Sequence, residues 1–177
     1  MKKQIFVFLF SLISISIIAQ NTKIRWVSFE DALKLNNQYP KKKFFIDIYT
    51  DWCGWCVKMD NSTFADSTIA SYMNKNFICV KLNAERKDTL VINGKAFVNT
   101  NPKEKRGVHQ IAVDLLQGKM SYPSYVILNE MGNSITTISG YRAANEFSVL
   151  MKYYGENMFI QMPFSEYQQK SISGQPK

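Results

Sequence analysis

The chain predicts an α/β domain, a central mixed β-sheet flanked by helices. Short, almost wholly apolar runs rich in aromatic and β-branched residues recur at residues 44–49, 77–84 and 121–130, as strands covered on both faces do. Helical stretches alternate with the first two runs. A turn at Met131-Gly132-Asn133 then joins the third run to "SITTISGY", so the sheet closes in an antiparallel hairpin. With 177 residues, 46% hydrophobic and 20% charged, one domain with a real core is expected and wholesale disorder is excluded.

The first 19 residues read as a secretory leader. Met1-Lys2-Lys3 is a basic start, Ile5 to Ile18 is apolar apart from three serines, and Ala19 stands before the expected cut. Ile17, two residues earlier, is larger than such sites usually carry. The run is shorter than the roughly 20 residues of a comfortable membrane span, so membrane attachment is expected only if the leader stays uncleaved. No cysteine follows it to carry a lipid. The expected divisions are therefore a leader at 1–19, a folded domain at 20–161 and a polar, frayed tail at 162–177. The protein is expected to be periplasmic or secreted.

Trp26 to Asn36 suits an amphipathic helix, with Ser28 as N-cap and Asp31 three residues on. Residues 44–49, "FFIDIY", form the first buried strand, and Asp47 in its middle is an anomaly. A helix is expected from about Cys53 to Asn61. Another lies in "ADSTIASYMNKN", capped by Asp66 or Ser67, with Ile69, Tyr72 and Met73 inward. "FICVKLNA" is the next strand. Residues 85–106 are a polar insert in which Asn93-Gly94 between apolar pairs signals a hairpin. Val108 to Leu116 can form a helix. Pro123 opens the third strand, and Ala143 to Tyr153 closes the domain as an amphipathic helix with Phe147, Leu150 and Met151 inward.

The formal charge is +8, or +6 once Lys2 and Lys3 leave with the leader. The basic runs at Lys41–Lys43 and Lys103–Arg106 do not interleave with aromatics as a single-strand nucleic-acid groove does, so no nucleic-acid partner is expected. Three cysteines do not suit a disulfide-stapled miniprotein, which carries an even number. One pair, Cys53 with Cys56, and a leftover Cys79 are expected. Cys79, inside an apolar strand, reads as a small buried hydrophobe. His109 is the sole histidine, and no second Cys-x-x-Cys or His pair completes four metal ligands. No metal or other cofactor is expected beyond a redox-active Cys53–Cys56 disulfide.

The stretch "YTDWCGWCVKMD" carries the chemistry. A thiol attacks as thiolate, and a helix N-terminus within a Cys-x-x-Cys loop lowers its pKa. Cys53 follows a strand and opens a helix, so unpaired N–H groups and the positive helix end face its sulfur. Cys56 lies one turn on. This spacing predicts an exposed attacker, Cys53, and a shielded resolver, Cys56. Gly54 is expected to let the backbone turn tightly, and Trp52 and Trp55 to flank the sulfur. Asp47, six residues earlier on a buried strand, is costly unless it works. Behind Cys56 it would take and return that thiol's proton.

"FFIDIYTDWCGWC" resembles the strand-to-active-site segment of the thioredoxin superfamily, where an aspartate, a tryptophan and Cys-Gly-x-Cys occur in this order and spacing. Tyr122-Pro123 resembles the superfamily's cis-proline loop, and "NEMGNSITTISGY" its following hairpin. The continuation "CVKMDNSTFADSTIASYMNKNFICVKLNAE" is closer still to secreted bacterial thioredoxin-like proteins with a Cys-Gly-Trp-Cys-x-x-Met motif. The resemblance spans about residues 29–153. It implies a thioredoxin fold, to which residues 85–106 of this chain add an inserted hairpin before the helix that precedes the cis-proline, and thiol–disulfide exchange on disulfide-containing exported proteins. It also implies Trp52, Gly54, Trp55, Tyr122 and Pro123 as a substrate groove, and a membrane thiol reductant of the DsbD type as electron source. Trp55 stands where thioredoxins carry proline, so the direction of electron flow does not carry over; the insert, absent from classical thioredoxins, is a second departure that reads either as a groove-shaping element or as a tolerated surface loop. Two other readings stay open on the residues: an adaptor module with a structural disulfide, and a Cu(I) metallochaperone.

Overall fold

A computed structural model describes residues 22–38 and 42–174, so the expected leader lies outside the described residues. In chain order the elements are β1 (Trp26–Val27), α1 (Phe29–Gln38), β2 (Lys43–Tyr49), α2 (Gly54–Asn61), α3 (Ser67–Asn76), β3 (Phe77–Asn83), β4 (Leu90–Ile92), β5 (Lys95–Phe97), α4 (Gln110–Leu115), β6 (Ser124–Leu128), β7 (Ser134–Ser139), α5 (Ala144–Gly155) and α6 (Phe164–Ser173). The main sheet has the order β1-β3-β2-β6-β7. β1, β3 and β2 run parallel, while β6 and β7 are antiparallel additions. This is the mixed, helix-flanked α/β sheet that the alternating pattern predicts.

Side chains alternate across a strand, and that parity builds two cores. Phe44, Ile46 and Ile48 of β2 pack with Phe29, Leu90, Ile111 and Leu116. Phe45, one residue out of phase, packs with Met59, Met73, Tyr125 and Phe147 on the other face. Asp47 shares the parity of Phe45, so it points to the face that α2 covers.

Trp26 and Val27, expected to start the first helix, form strand β1 instead. They pair with Cys79 and Val80 at the sheet edge. The Trp26 ring packs on Phe64 and Phe45, at 5.1 and 6.2 Å between centroids. The helix begins only at Phe29, because Ser28 Oγ accepts the Asp31 N–H at 3.0 Å and caps the turn there.

The insert is an ordered hairpin, β4 against β5, in a two-stranded sheet of its own. Asn93 and Gly94 both have positive φ, 50° and 79°, which a two-residue type I′ turn requires. Leu90 is fully buried in the first core and Phe97 joins it. Asn99 Nδ2 donates to the carbonyls of Arg86 (3.1 Å) and Gly107 (2.6 Å) and so ties the two ends of the insert together. A Cβ on Gly107 would stand 2.0 Å from the Asn101 carbonyl oxygen, so the loop closes only over glycine. Gly107→Ala is expected to cost about 1–3 kcal/mol in urea unfolding and to expose Lys103–Arg106 to limited trypsin digestion; an unchanged digestion pattern would refute this closure.

The stretch after Met162, expected as a frayed polar tail, instead contains α6. Phe164 and Tyr167 lie three residues apart on one face and pack on Tyr153 of α5, at 5.2 and 5.3 Å. Tyr167 is buried. The polar residues that dominate the composition occupy the solvent side. No helix of the described residues is long and apolar enough to cross a membrane.

Candidate active site

β2 ends at Tyr49, the chain turns at Thr50–Trp52, and α2 starts at Gly54. Cys53 is the N-cap of α2, and its Sγ accepts the Cys56 N–H at 3.1 Å. The two cysteines are joined in a disulfide, with Cα atoms 5.3 Å apart. A sulfur in the cap position replaces the usual Ser or Asp oxygen and shares the Cys56 N–H with the Cys53 carbonyl, 3.0 Å from the same nitrogen.

Exposure does not separate the two sulfurs as expected. Cys53 is 5% and Cys56 3% exposed in the disulfide form. The asymmetry is one of position: Cys53 caps the helix, and Cys56 sits within its first turn. Gly54 is not needed for a tight turn either. Its φ is not positive, and an added Cβ would meet nothing within 4 Å. Its contribution is an absent side chain on the open surface beside the sulfurs.

Trp52 and Trp55 do flank the pair, each about half exposed. Trp52 is clamped from both ends of the insert. Its indole N–H donates to Glu85 at 2.8 Å, and the Arg106 guanidinium lies over the ring, 4.3 Å from its centroid. Tyr122 meets the same ring edge-on at 5.9 Å, and the Tyr122–Pro123 peptide is cis. On the other side Trp55 packs on Tyr141 at 5.6 Å, with Lys58 Nζ 4.8 Å from the centroids of both rings. The candidate groove residues thus form two aromatic contacts beside the cysteines in sequence, Trp52 with Tyr122 and Trp55 with Tyr141.

Asp47 is buried, and burial pushes its carboxyl up to about 6, against the pull of Lys81. Its Oδ2 accepts from Lys81 Nζ at 2.7 Å. Its Oδ1 takes no hydrogen bond from the described residues. Lys81 was not singled out by the sequence reading. The signal was present: Lys81 is a charge inside a buried-type strand, at the register position opposite Asp47 in the parallel β2–β3 pair. Lys81 also reaches Asp60 Oδ1 on α2. Met59, on the same helix, is fully buried.

Cys79 is a free, buried thiol, pushed up to about 12 by desolvation. His109 caps α4: its Nδ1 accepts the Ile111 N–H at 3.2 Å, and Nε2 lies 3.0 Å from the Asp88 carbonyl. It is a structural residue of the insert's anchor. Among the described residues, no three His, Cys, Asp or Glu side chains gather where a metal ion could bind.

The family described as "Protein of unknown function, DUF255", Thioredox_DsbH, matches residues 15–148. An uncharacterized protein of Archaeoglobus fulgidus is 28% identical over 82 residues, which are 46% of this chain and 64% of that protein. The chain thus spans less than two thirds of the length of this relative. Among solved structures, one described as a DsbH oxidoreductase superposes with a TM-score of 0.52 at 17% identity, covering 73% of this chain and 83% of its own. A thioredoxin from Thermus thermophilus gives 0.54 at 14% identity, covering 75% and 87%. At these identities the likeness establishes the thioredoxin fold.

Proposed function

The chain belongs to the Thioredox_DsbH family, and from that premise we propose that it is a thiol–disulfide oxidoreductase that reduces disulfides of exported proteins through Cys53 and Cys56. One observation carries the reading: a disulfide whose first sulfur is the N-cap of α2 and receives a backbone N–H, next in sequence to two half-exposed tryptophans. In the reduced protein that N–H and the helix end favour a thiolate at Cys53.

The Cys53 thiolate attacks one sulfur of a substrate disulfide. A Cys53–substrate bond forms, the substrate disulfide breaks, and the departing substrate thiolate takes a proton from water. The Cys56 thiol then gives its proton to Asp47, and its sulfur attacks Cys53 Sγ. The Cys53–Cys56 bond forms, the mixed disulfide breaks, and the second substrate sulfur leaves as a thiolate and takes up the proton that Asp47 held, which returns Asp47 to its carboxylate. The substrate gains two electrons and the protein dithiol loses them, so each cycle needs a thiol reductant. A membrane reductant of the DsbD type would supply it in a periplasmic or secreted setting. Trp52, Trp55, Tyr122 and Pro123 line the groove for an extended segment of the substrate, and the insert holds Trp52 in place through Glu85 and Arg106.

The low exposure of both cysteines favours a second reading, a binding module with a structural bridge. Reduction potential separates them. Equilibration with glutathione is expected to place the pair between about −120 and −270 mV, whereas a structural bridge lies below about −300 mV; a value in that lower range would leave only the adaptor reading.

A further inference from the structure

Lys81 carries one ammonium between two carboxylates. Nζ is 2.7 Å from Asp47 Oδ2 and also donates to Asp60 Oδ1. Side-chain exposure rises along this line: Asp47 2%, Lys81 21%, Asp60 42%. The rings of Trp26, Tyr49 and Phe64 surround Nζ, with centroids 4.9, 5.2 and 5.3 Å away. They confine the ammonium to the space between its two acids. Asp60 lies in the last turn of α2, where the negative end of the helix dipole disfavours an acid. Helix stability therefore does not account for Asp60, whereas Lys81 does.

We propose that Asp60 is a positioning residue for the proton transfer between Cys56 and Asp47: it keeps Lys81 paired when Asp47 is protonated, and so lets Asp47 accept the proton. The reasoning is electrostatic. With Asp60 present, protonating Asp47 takes the trio from one net negative charge to none. Without it, the same step leaves a largely covered ammonium with no carboxylate. Asp60 also repels the Asp47 carboxylate directly, and both effects favour the protonated form.

The groups that face Asp47 are few. Lys81 stands opposite on β3, Tyr125 opposite on β6, Tyr49 two residues on along β2, and Asp60 on α2. The Tyr49 and Tyr125 phenols are pushed up by burial and stay neutral through the working range. Lys81 and Asp60 are thus the charges that set the behaviour of Asp47.

The role rests on the oxidoreductase reading, but its first test does not. In the oxidised full chain the two cysteines cannot titrate, so the 13C signal of the Asp47 carboxyl reports Asp47 alone. Asp60→Asn is expected to lower that midpoint by about one pH unit, and Asp60→Glu to restore it. An unmoved midpoint in Asp60→Asn, or an equal fall in Asp60→Glu, overturns the proposal. The second arm is single-turnover reduction of insulin by the reduced protein. Asp60→Asn should be about threefold slower at pH 7.5, because Asp47 is then a weaker base. The deficit should close below pH 6, where the variant holds more carboxylate than the wild type. A deficit equal at every pH would mark a merely structural role and overturn the proposal. If the wild type reduced no disulfide at all, the oxidoreductase reading would fall while the carboxyl titration still decided what Asp60 does to Asp47.

Discussion

Cys53→Ser is expected to abolish insulin reduction, with a loss of at least about a thousandfold, because it removes the sulfur at the helix cap that forms the first sulfur–sulfur bond. Cys56→Ser should fail differently. It keeps the attacking sulfur but cannot resolve, so it should accumulate mixed disulfides visible on non-reducing gels and cleaved by dithiothreitol. The alternatives to Cys53 are poor. Cys79 is buried in β3 with its thiol pushed up to about 12, so it holds almost no thiolate near neutral pH. If both serine variants reduced insulin at the wild-type rate, the exchange mechanism would be wrong whatever the fold.

Asp47→Asn is expected to stabilise the oxidised protein while it slows the enzyme. The Asp47 carboxyl is raised from 3.8 to about 6 by burial. A folded-state pKa above the unfolded one means that the folded form binds the proton more tightly. Stability from this group is therefore present below pH 3.8 and lost as pH rises through 6. A shift of that size corresponds to at most about 3 kcal/mol at pH 7.5. Removing the charge recovers that amount, and Asp60 keeps Lys81 paired in the variant. Urea unfolding should show the gain at pH 7.5 and none at pH 3.5. Insulin reduction should fall by about tenfold or more, as expected on loss of a proton acceptor. A variant no more stable than the wild type at pH 7.5 would mean that Lys81 and Asp60 already offset the burial of Asp47.

The gain and the loss have one origin. A carboxylate on the covered face of a sheet is unfavourable for the fold, yet under the proposed mechanism it is the proton acceptor of the resolving step. The aromatic surface follows similar logic: Trp52 and Trp55 leave half their area in water beside a disulfide that is itself almost covered. Such exposed rings are weak contributors to folding and strong ones to binding an extended chain.

Much of this was legible in the residues. The buried strands showed as short apolar runs, the hairpin turn as Asn93-Gly94, and the disulfide pair as Cys-x-x-Cys after a strand. Asp47 stood out because a charge inside such a run is costly. What was misread shares a cause. Trp26-Val27 looked helical because local periodicity cannot register a two-residue strand held only by its neighbour β3. α6 looked like a tail because its polar composition hides one apolar face, which matters only once α5 is beneath it. Cys53 was expected to be more open than it is, because spacing says nothing about what covers a sulfur.

The class of sheet, the position of the sulfur pair after β2 and the buried acid before it could all be read from the residues, since each depends on local pattern along a few positions. That Lys81 faces Asp47, that Asp60 shares that ammonium, and that Glu85 and Arg106 grip Trp52 from the insert emerge solely from the folded arrangement. These partners lie far apart in the chain. Strand register and loop closure bring them together, and a charge or a ring has no preferred partner until its neighbours are in place.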